Sequence, residues 1–206
     1  MSIQDTADSA QRHDRRIDNP TPPAQPDATA ITANVGARAG TLAVLRILMG
    51  LTFLWAFVDK AFGWGYATPS AHAWISGGSP TKGFLANVHV GPMQSALRSW
   101  AGTGWADWLF MLGLLGIGLA LLLGVGVRIA AGTGALLLAL MWIAEWPPAR
   151  HTSAGVATGS TNPLIDYHVV YAVVLIAIAV FAAGDVWGLG KRWARLDVVR
   201  ANPWLR

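Results

Sequence analysis

Apolar residues along this chain gather into four long blocks, at about 40–61, 106–124, 127–146 and 164–184, and none of them alternates polar with apolar positions. The second block reads Trp-Leu-Phe-Met-Leu-Gly-Leu-Leu-Gly-Ile-Gly-Leu-Ala-Leu-Leu-Leu-Gly over 108–124. Each block is close to the ~20 residues with which a helix crosses a bilayer. Blocks this long without a period of two exclude strands, so the pattern predicts helices that satisfy their own backbone hydrogen bonds in lipid. The expected fold is all-α: an integral membrane four-helix bundle with an external interfacial segment between helices 1 and 2.

Polar stretches divide the rest. Residues 1–39 carry Pro20, Pro22, Pro23 and Pro26 with Asp, Arg and Thr and no surviving apolar period, which predicts a disordered tail. The first apolar block begins too far along the chain for a signal peptide. Residues 40–190 form the expected membrane domain, and 191–206 a basic tail. The segment 62–105 is too long for a tight hairpin. Within it, Pro92 opens a short helix whose Met93, Leu97 and Trp100 share one face, as in a helix lying on the membrane surface. Gly77, Gly78, Pro80, Gly83 and Gly91 predict irregular backbone folded back over the bundle mouth.

Composition strengthens this picture. The chain is 53% apolar and only 13% charged, where soluble domains carry about 25% charged residues. Its mean hydropathy is +0.42. The formal charge of +4 comes from flanks. Arg12, Arg15, Arg16, Arg38, Arg128, Lys191, Arg192, Arg195, Arg200 and Arg206 fall on one side of the expected spans, against Lys60, Lys82, Arg98 and Arg150 on the other. The positive-inside rule then places a multi-pass protein in the plasma membrane with both termini cytoplasmic. No basic stripe interleaved with aromatics points to nucleic acid. Gly116, Ala120 and Gly124, and likewise Ala131, Ala135 and Ala139, recur at a spacing of four and predict close helix packing.

Cysteine is absent. That excludes disulfides, thiolate metal sites, iron–sulfur clusters and covalent haem on this chain. His168 stands alone among the histidines in an expected span, so a bis-histidine haem is not expected, and no His/Glu spacing predicts a metal site. No nucleotide site is expected. Residues 76–83, Ser-Gly-Gly-Ser-Pro-Thr-Lys-Gly, lack the order of a phosphate loop, because Lys82 precedes its glycine and no strand leads in. Two readings remain for that stretch. It is either a turn folded onto the bundle or a nest of N–H groups from Gly77, Gly78 and Gly83, beside Ser79, Thr81 and Lys82, that takes a small external oxyanion.

Ionisable groups in a membrane domain are candidates for function. Asp59 and Lys60 end the first block, Asp107 opens the second, Glu145 ends the third, and Asp166 and His168 open the fourth. All six fall at one end of the bundle and are expected to converge beneath segment 62–105. His168, Asp166 and Glu145 are the candidates for proton transfer. Each also has a structural reading: Lys60 snorkels, Asp107 caps its helix, Glu145 is the last wet residue before Pro147, and Asp166 complements the helix dipole. Arg46 belongs to the opposite half, where it snorkels or pairs, with Asp185 the nearest expected carboxylate.

The ordered series Asp59-Lys60-x-Phe62-Gly63, Ala67-Thr68-Pro69, Ala73-Trp74-Ile75, Gly77-Gly78-Ser79-Pro80-Thr81-x-Gly83-Phe84-Leu85, Gly116-Ile117-Gly118-Leu119-Ala120-Leu121, Asn162-Pro163 and Asp166-x-His168 resembles the DoxX/DoxD family over about 40–200. The resemblance implies a membrane subunit of a thiosulfate:quinone oxidoreductase, a quinone as cofactor, a small sulfur oxyanion as substrate, and a second redox or sulfur-handling subunit as partner. The alternative is a non-catalytic anchor or assembly subunit of a redox complex. On the first reading Lys82, Ser79, Thr81, Gly78, Lys60 and Asp59 are the candidates for substrate binding. Tyr167, Trp142 and Arg46, with His168, are the candidates at the quinone.

Overall fold

The computed structural model describes residues 28–205, with side chains from Val35 onward. The chain divides into two units, 1–36 and 37–206, and the first contributes only the opening of helix α1 to the described residues. The expected disorder of 1–27, and the arginines in it, lie outside those residues. Residues 28–39, expected in the tail, are helical instead. Every element is helical among the described residues: α1 (Ala28–Phe62), α2 (Lys82–Ala86), α3 (Gln94–Trp100), α4 (Gly104–Leu123), α5 (Val127–Glu145), α6 (Tyr167–Val180), α7 (Gly190–Trp193) and α8 (Asp197–Ala201), with short 3-10 turns between.

Three of these are long and apolar enough to cross a membrane: Val35–Phe62 of α1, α4 and α5. Leu51, Leu109, Leu112, Leu136 and Val173 lie exposed along the helices, as side chains facing lipid do. The fourth apolar block forms a shorter helix than its hydropathy predicts. Asn162 Oδ1 accepts the N–H groups of Leu164 and Ile165 at 2.9 and 3.1 Å in a turn. Asp166 then becomes the N-cap of α6, its Oδ1 accepting the Val169 N–H at 3.2 Å. At the other end Ala182 adopts φ +50 and the chain leaves the helix. The 14 residues of α6 span only about 21 Å.

Close packing occurs at some residues of the fourfold spacing and at other small residues as well. A Cβ on Gly124 would stand 2.8 Å from the Gly184 carbonyl oxygen, and Ala131 is buried. A Cβ on Gly118 would stand 2.9 Å from the Leu54 backbone nitrogen, and one on Gly50 would stand 3.1 Å from the Gly118 carbonyl oxygen. Helices α1 and α4 therefore cross backbone to backbone at Gly50 and Gly118. Gly116 faces open space. On α5 it is Gly134 that lets α6 approach, since a Cβ there would meet Leu175 Cδ1 at 2.7 Å. Met111, Leu121, Leu175 and Ile178 are completely buried between these helices.

Two further segments pack against the helices. The apolar face of α3 does not lie free on a surface: Leu97 is buried with Val88 and Ala144, with Met93 and Trp100 against them. The basic C-terminal residues have structure of their own. They fold as α7, α8 and a 3-10 turn, with Val199 buried, Arg128 donating to the Pro203 carbonyl and Trp193 Nε1 to the Leu205 carbonyl. Lys191, Arg192, Arg195 and Arg200 remain exposed.

Candidate functional site

The ends of the helices carrying Asp59, Asp107, Glu145 and Asp166 form what we call the acidic end, and those near Arg46 and Arg128 the basic end. The six ionisable groups expected to converge at the acidic end resolve into distinct hydrogen-bonded groups. Asp59, buried at 2% exposure, accepts the Tyr66 and Ala67 N–H groups at 3.3 and 3.0 Å. It secures the chain as it leaves α1. Lys60 follows it, half-buried.

Asp107 lies in the first turn of α4, but the N-cap there is Thr103. Its Oδ1 instead accepts from the Ser79 hydroxyl at 2.9 Å, the Thr81 hydroxyl at 2.6 Å and the Thr81 N–H at 3.0 Å. Several other donors of the Ser76–Gly83 stretch are also engaged. The Gly77 and Gly78 N–H groups reach the Trp74 and Ala73 carbonyls, and the Lys82 N–H reaches Ser79 Oγ. Gly78 is sterically required, because a Cβ would fall 2.0 Å from the His72 carbonyl oxygen. The anion that these hydroxyls and N–H groups hold is therefore Asp107, from the chain itself. Of the two sequence readings, the geometry is that of the turn. Lys82 is exposed with its stem along Gly102.

Glu145, Asp166 and His168 come together, although the first two lie 21 positions apart in sequence. Glu145 is the last residue of α5 and Asp166 caps α6; His168 lies one residue into that helix. His168 Nδ1 lies 2.8 Å from Asp166 Oδ2 and 3.9 Å from Glu145 Oε2. The imidazole is 1% exposed, its ring centroid 4.0 Å from that of Tyr167. The Tyr167 hydroxyl donates to Glu145 Oε1 at 3.3 Å. Burial pushes the Asp166 carboxyl up, but the hydrogen bonds from His168 and the Val169 N–H and the imidazole charge outweigh it. The net effect holds that carboxyl below its ordinary value. Trp142 stands near this group, its Nε1 donating to the Leu164 carbonyl at 3.1 Å.

Above these residues opens a cleft of about 640 Å³. One wall is Gly83, Phe84, Asn87, Val88 and His89; the other is the α5–α6 connection from Thr152 to Asn162; Glu145, Asp166 and Tyr167 form the floor. The connecting wall is held by its own hydroxyls, Thr158 Oγ1 donating to the Ala149 carbonyl and Ser160 Oγ to the Pro147 carbonyl, both at 2.6 Å. Residues of this wall escape a sequence reading that weighs only charge and apolar blocks. The available signal is length: a polar run rich in Thr, Ser and Gly, too long for a tight helix–helix turn.

Arg46 is not part of this site. At the basic end, with 0% exposure, it does not snorkel. Nε donates to the Ala183 carbonyl at 3.1 Å; Nη1 donates to the Leu121 carbonyl and to that of Leu122 at 3.0 Å; Nη2 reaches the Val186 and Trp187 carbonyls at 3.2 and 2.9 Å. The guanidinium thus takes up carbonyls left open where α4 and the fourth apolar block end. No family model, curated protein or solved structure matches the chain.

Proposed function

We propose that the chain is the quinone-binding membrane subunit of an oxidoreductase complex, DoxX-like as its sequence resemblance implies. On this reading α1, α4, α5 and α6 span the plasma membrane as a four-helix bundle, both termini are cytoplasmic, and the acidic end faces outward. The cleft carries the reading. Its volume suits a single ring-sized ligand, with Phe84, Val88, Ile165 and Tyr167 as apolar surface and Asn87, His89 and Thr161 as polar edges. The carboxylates lining it disfavour a dianion such as thiosulfate, and the Ser79 and Thr81 hydroxyls are engaged by Asp107. Sulfur oxidation is therefore assigned to a partner subunit. Two thiosulfates joining as tetrathionate release two electrons, which with two protons convert the quinone held here to quinol.

The test is a titration of the full chain in lipid nanodiscs with a short-chain benzoquinone. Saturable binding is expected, weakened about tenfold by Phe84→Ala or Tyr167→Ala. Uptake equal to that of empty nanodiscs would overturn the reading. The exposed Lys191, Arg192, Arg195 and Arg200 on the folded C-terminal segment favour a second reading, a non-catalytic anchor that docks an acidic partner. A pure anchor binds no quinone, so the same titration separates the two.

A further inference from the structure

The group of Glu145, Asp166 and His168 has a property that a quinone site does not need. Its three donor atoms, one imidazole nitrogen and two carboxylate oxygens, all lie within 4.8 Å of one another. Neighbouring ligands of a first-row divalent cation, bound at about 2.0–2.2 Å, stand roughly 3.0–3.5 Å apart. The observed 2.8 and 3.9 Å from Nδ1 to the two carboxylates bracket that spacing. Two edges of the triangle thus lie near coordination spacing, and the partly exposed Glu145 side chain is the one with room to close the third.

Charge leads to the same place. No lysine or arginine among the described residues pairs with Glu145 or Asp166; their one ion-pair partner is His168. Besides His168, the Glu145 carboxylate meets only the neutral Tyr167 hydroxyl among the described partners. An independent observation concerns the imidazole. It is 1% exposed, aims Nδ1 into the two carboxylates, and has no partner for Nε2. Its polar contacts are thus confined to the carboxylate pair. Glu145, by contrast, is 39% exposed and borders the open cleft, so a hydrated cation has a route to the group.

The geometry points to a divalent transition-metal site formed by Glu145, Asp166 and His168 Nδ1 at the floor of the cleft. One imidazole among oxygen donors selects zinc-like first-row ions over magnesium or calcium, which prefer oxygen alone. The open positions face the cleft, where water or a bound molecule completes the coordination. The inference needs only these side chains and the cleft, so it stands or falls apart from quinone binding.

The experiment uses the full chain, free of affinity tag, stripped with chelator and reconstituted in nanodiscs, with Zn²⁺ added under calorimetry. One equivalent of saturable Zn²⁺ is expected, undisturbed by excess Mg²⁺. Glu145→Gln and Asp166→Asn should each weaken it at least about tenfold. Asparagine remains a good N-cap, so α6 should survive in Asp166→Asn, and Glu145→Gln provides a second variant at a partly exposed position. Asp107→Asn, a buried carboxylate at the same end, should leave Zn²⁺ binding unchanged. Absence of saturable Zn²⁺ in chain shown folded by its melting curve would overturn the site. So would Zn²⁺ binding undiminished in both Glu145→Gln and Asp166→Asn, since the ion would then sit on surface histidines.

Discussion

At the basic end of the helices Arg46 is completely buried and donates to five main-chain carbonyls. At the acidic end His168 is buried almost as deeply, yet its ring meets two carboxylates through one nitrogen and nothing through the other. Glycines press around Arg46: a Cβ on Gly124 or Gly188 would stand 3.1 or 3.2 Å from its guanidinium nitrogens. The carboxylates that His168 meets, Glu145 and Asp166, border a cleft. A buried charge with each arm of its donor set engaged holds structure together. A buried imidazole whose Nδ1 meets two carboxylates at the edge of an opening is placed to share a ligand with them.

The sharpest way to break this contrast is at Arg46. Arg46→Ala removes the side-chain donor from the Leu122, Ala183, Val186 and Trp187 carbonyls, and should cost about 3–5 kcal/mol, read as lost yield or a large fall in melting temperature. Arg46→Lys should recover little of it, since an ammonium with three donors cannot span five acceptors. A melting curve for Arg46→Ala matching the parent's would remove the distinction between the two ends.

The α1–α4 crossing comes next. Gly118→Leu must drive α1 and α4 apart at Leu54 and should cost about 3 kcal/mol, whereas Gly116→Ala, which meets open space, should be neutral in the same melting assay. Equal effects at the two glycines would contradict the crossing. At the acidic end, Asp107→Ala strands the hydroxyls of Ser79 and Thr81 and the Thr81 N–H. A loss of about 2 kcal/mol and faster limited proteolysis within Ser76–Gly83 are expected. Unchanged proteolysis would show that the carboxylate does not hold the loop. The smallest effect belongs to Glu145→Gln, within about 0.5 kcal/mol of the parent. A large destabilisation there would make the acidic cluster a structural brace like Arg46 and close the comparison.

Much of the architecture was legible in the chain. Helix formation depends on hydrogen bonds four residues apart and on the medium around them, so hydropathy located α4, α5 and the C-terminal end of α1 to within about two residues. The start of α1 at Ala28 lies well before its apolar block. The apolar pattern overran the fourth helix, because Asn162, Asp166 and Arg46 divert its terminal N–H and carbonyl groups, and hydropathy does not register capping. The candidate site was legible in part: Glu145, Asp166 and His168 stood out as ionisable residues at block ends, while the Thr152–Asn162 wall carried no charge to mark it.

By itself the sequence determined that the protein is helical, membrane-compatible and free of cysteine chemistry, because these follow from composition and local pattern. Only the tertiary structure decided which polar groups meet. It matched Asp107 to Ser79 and Thr81, making the stretch resembling an anion nest a loop bound to its own carboxylate. It chose Gly118 over Gly116 at the helix crossing. It also brought Glu145 to Asp166 and His168 across a connecting segment with no coordination spacing. Partners so far apart in the chain are selected by how helices pack, and the energy of a buried polar group depends on that partner rather than on its neighbours in sequence.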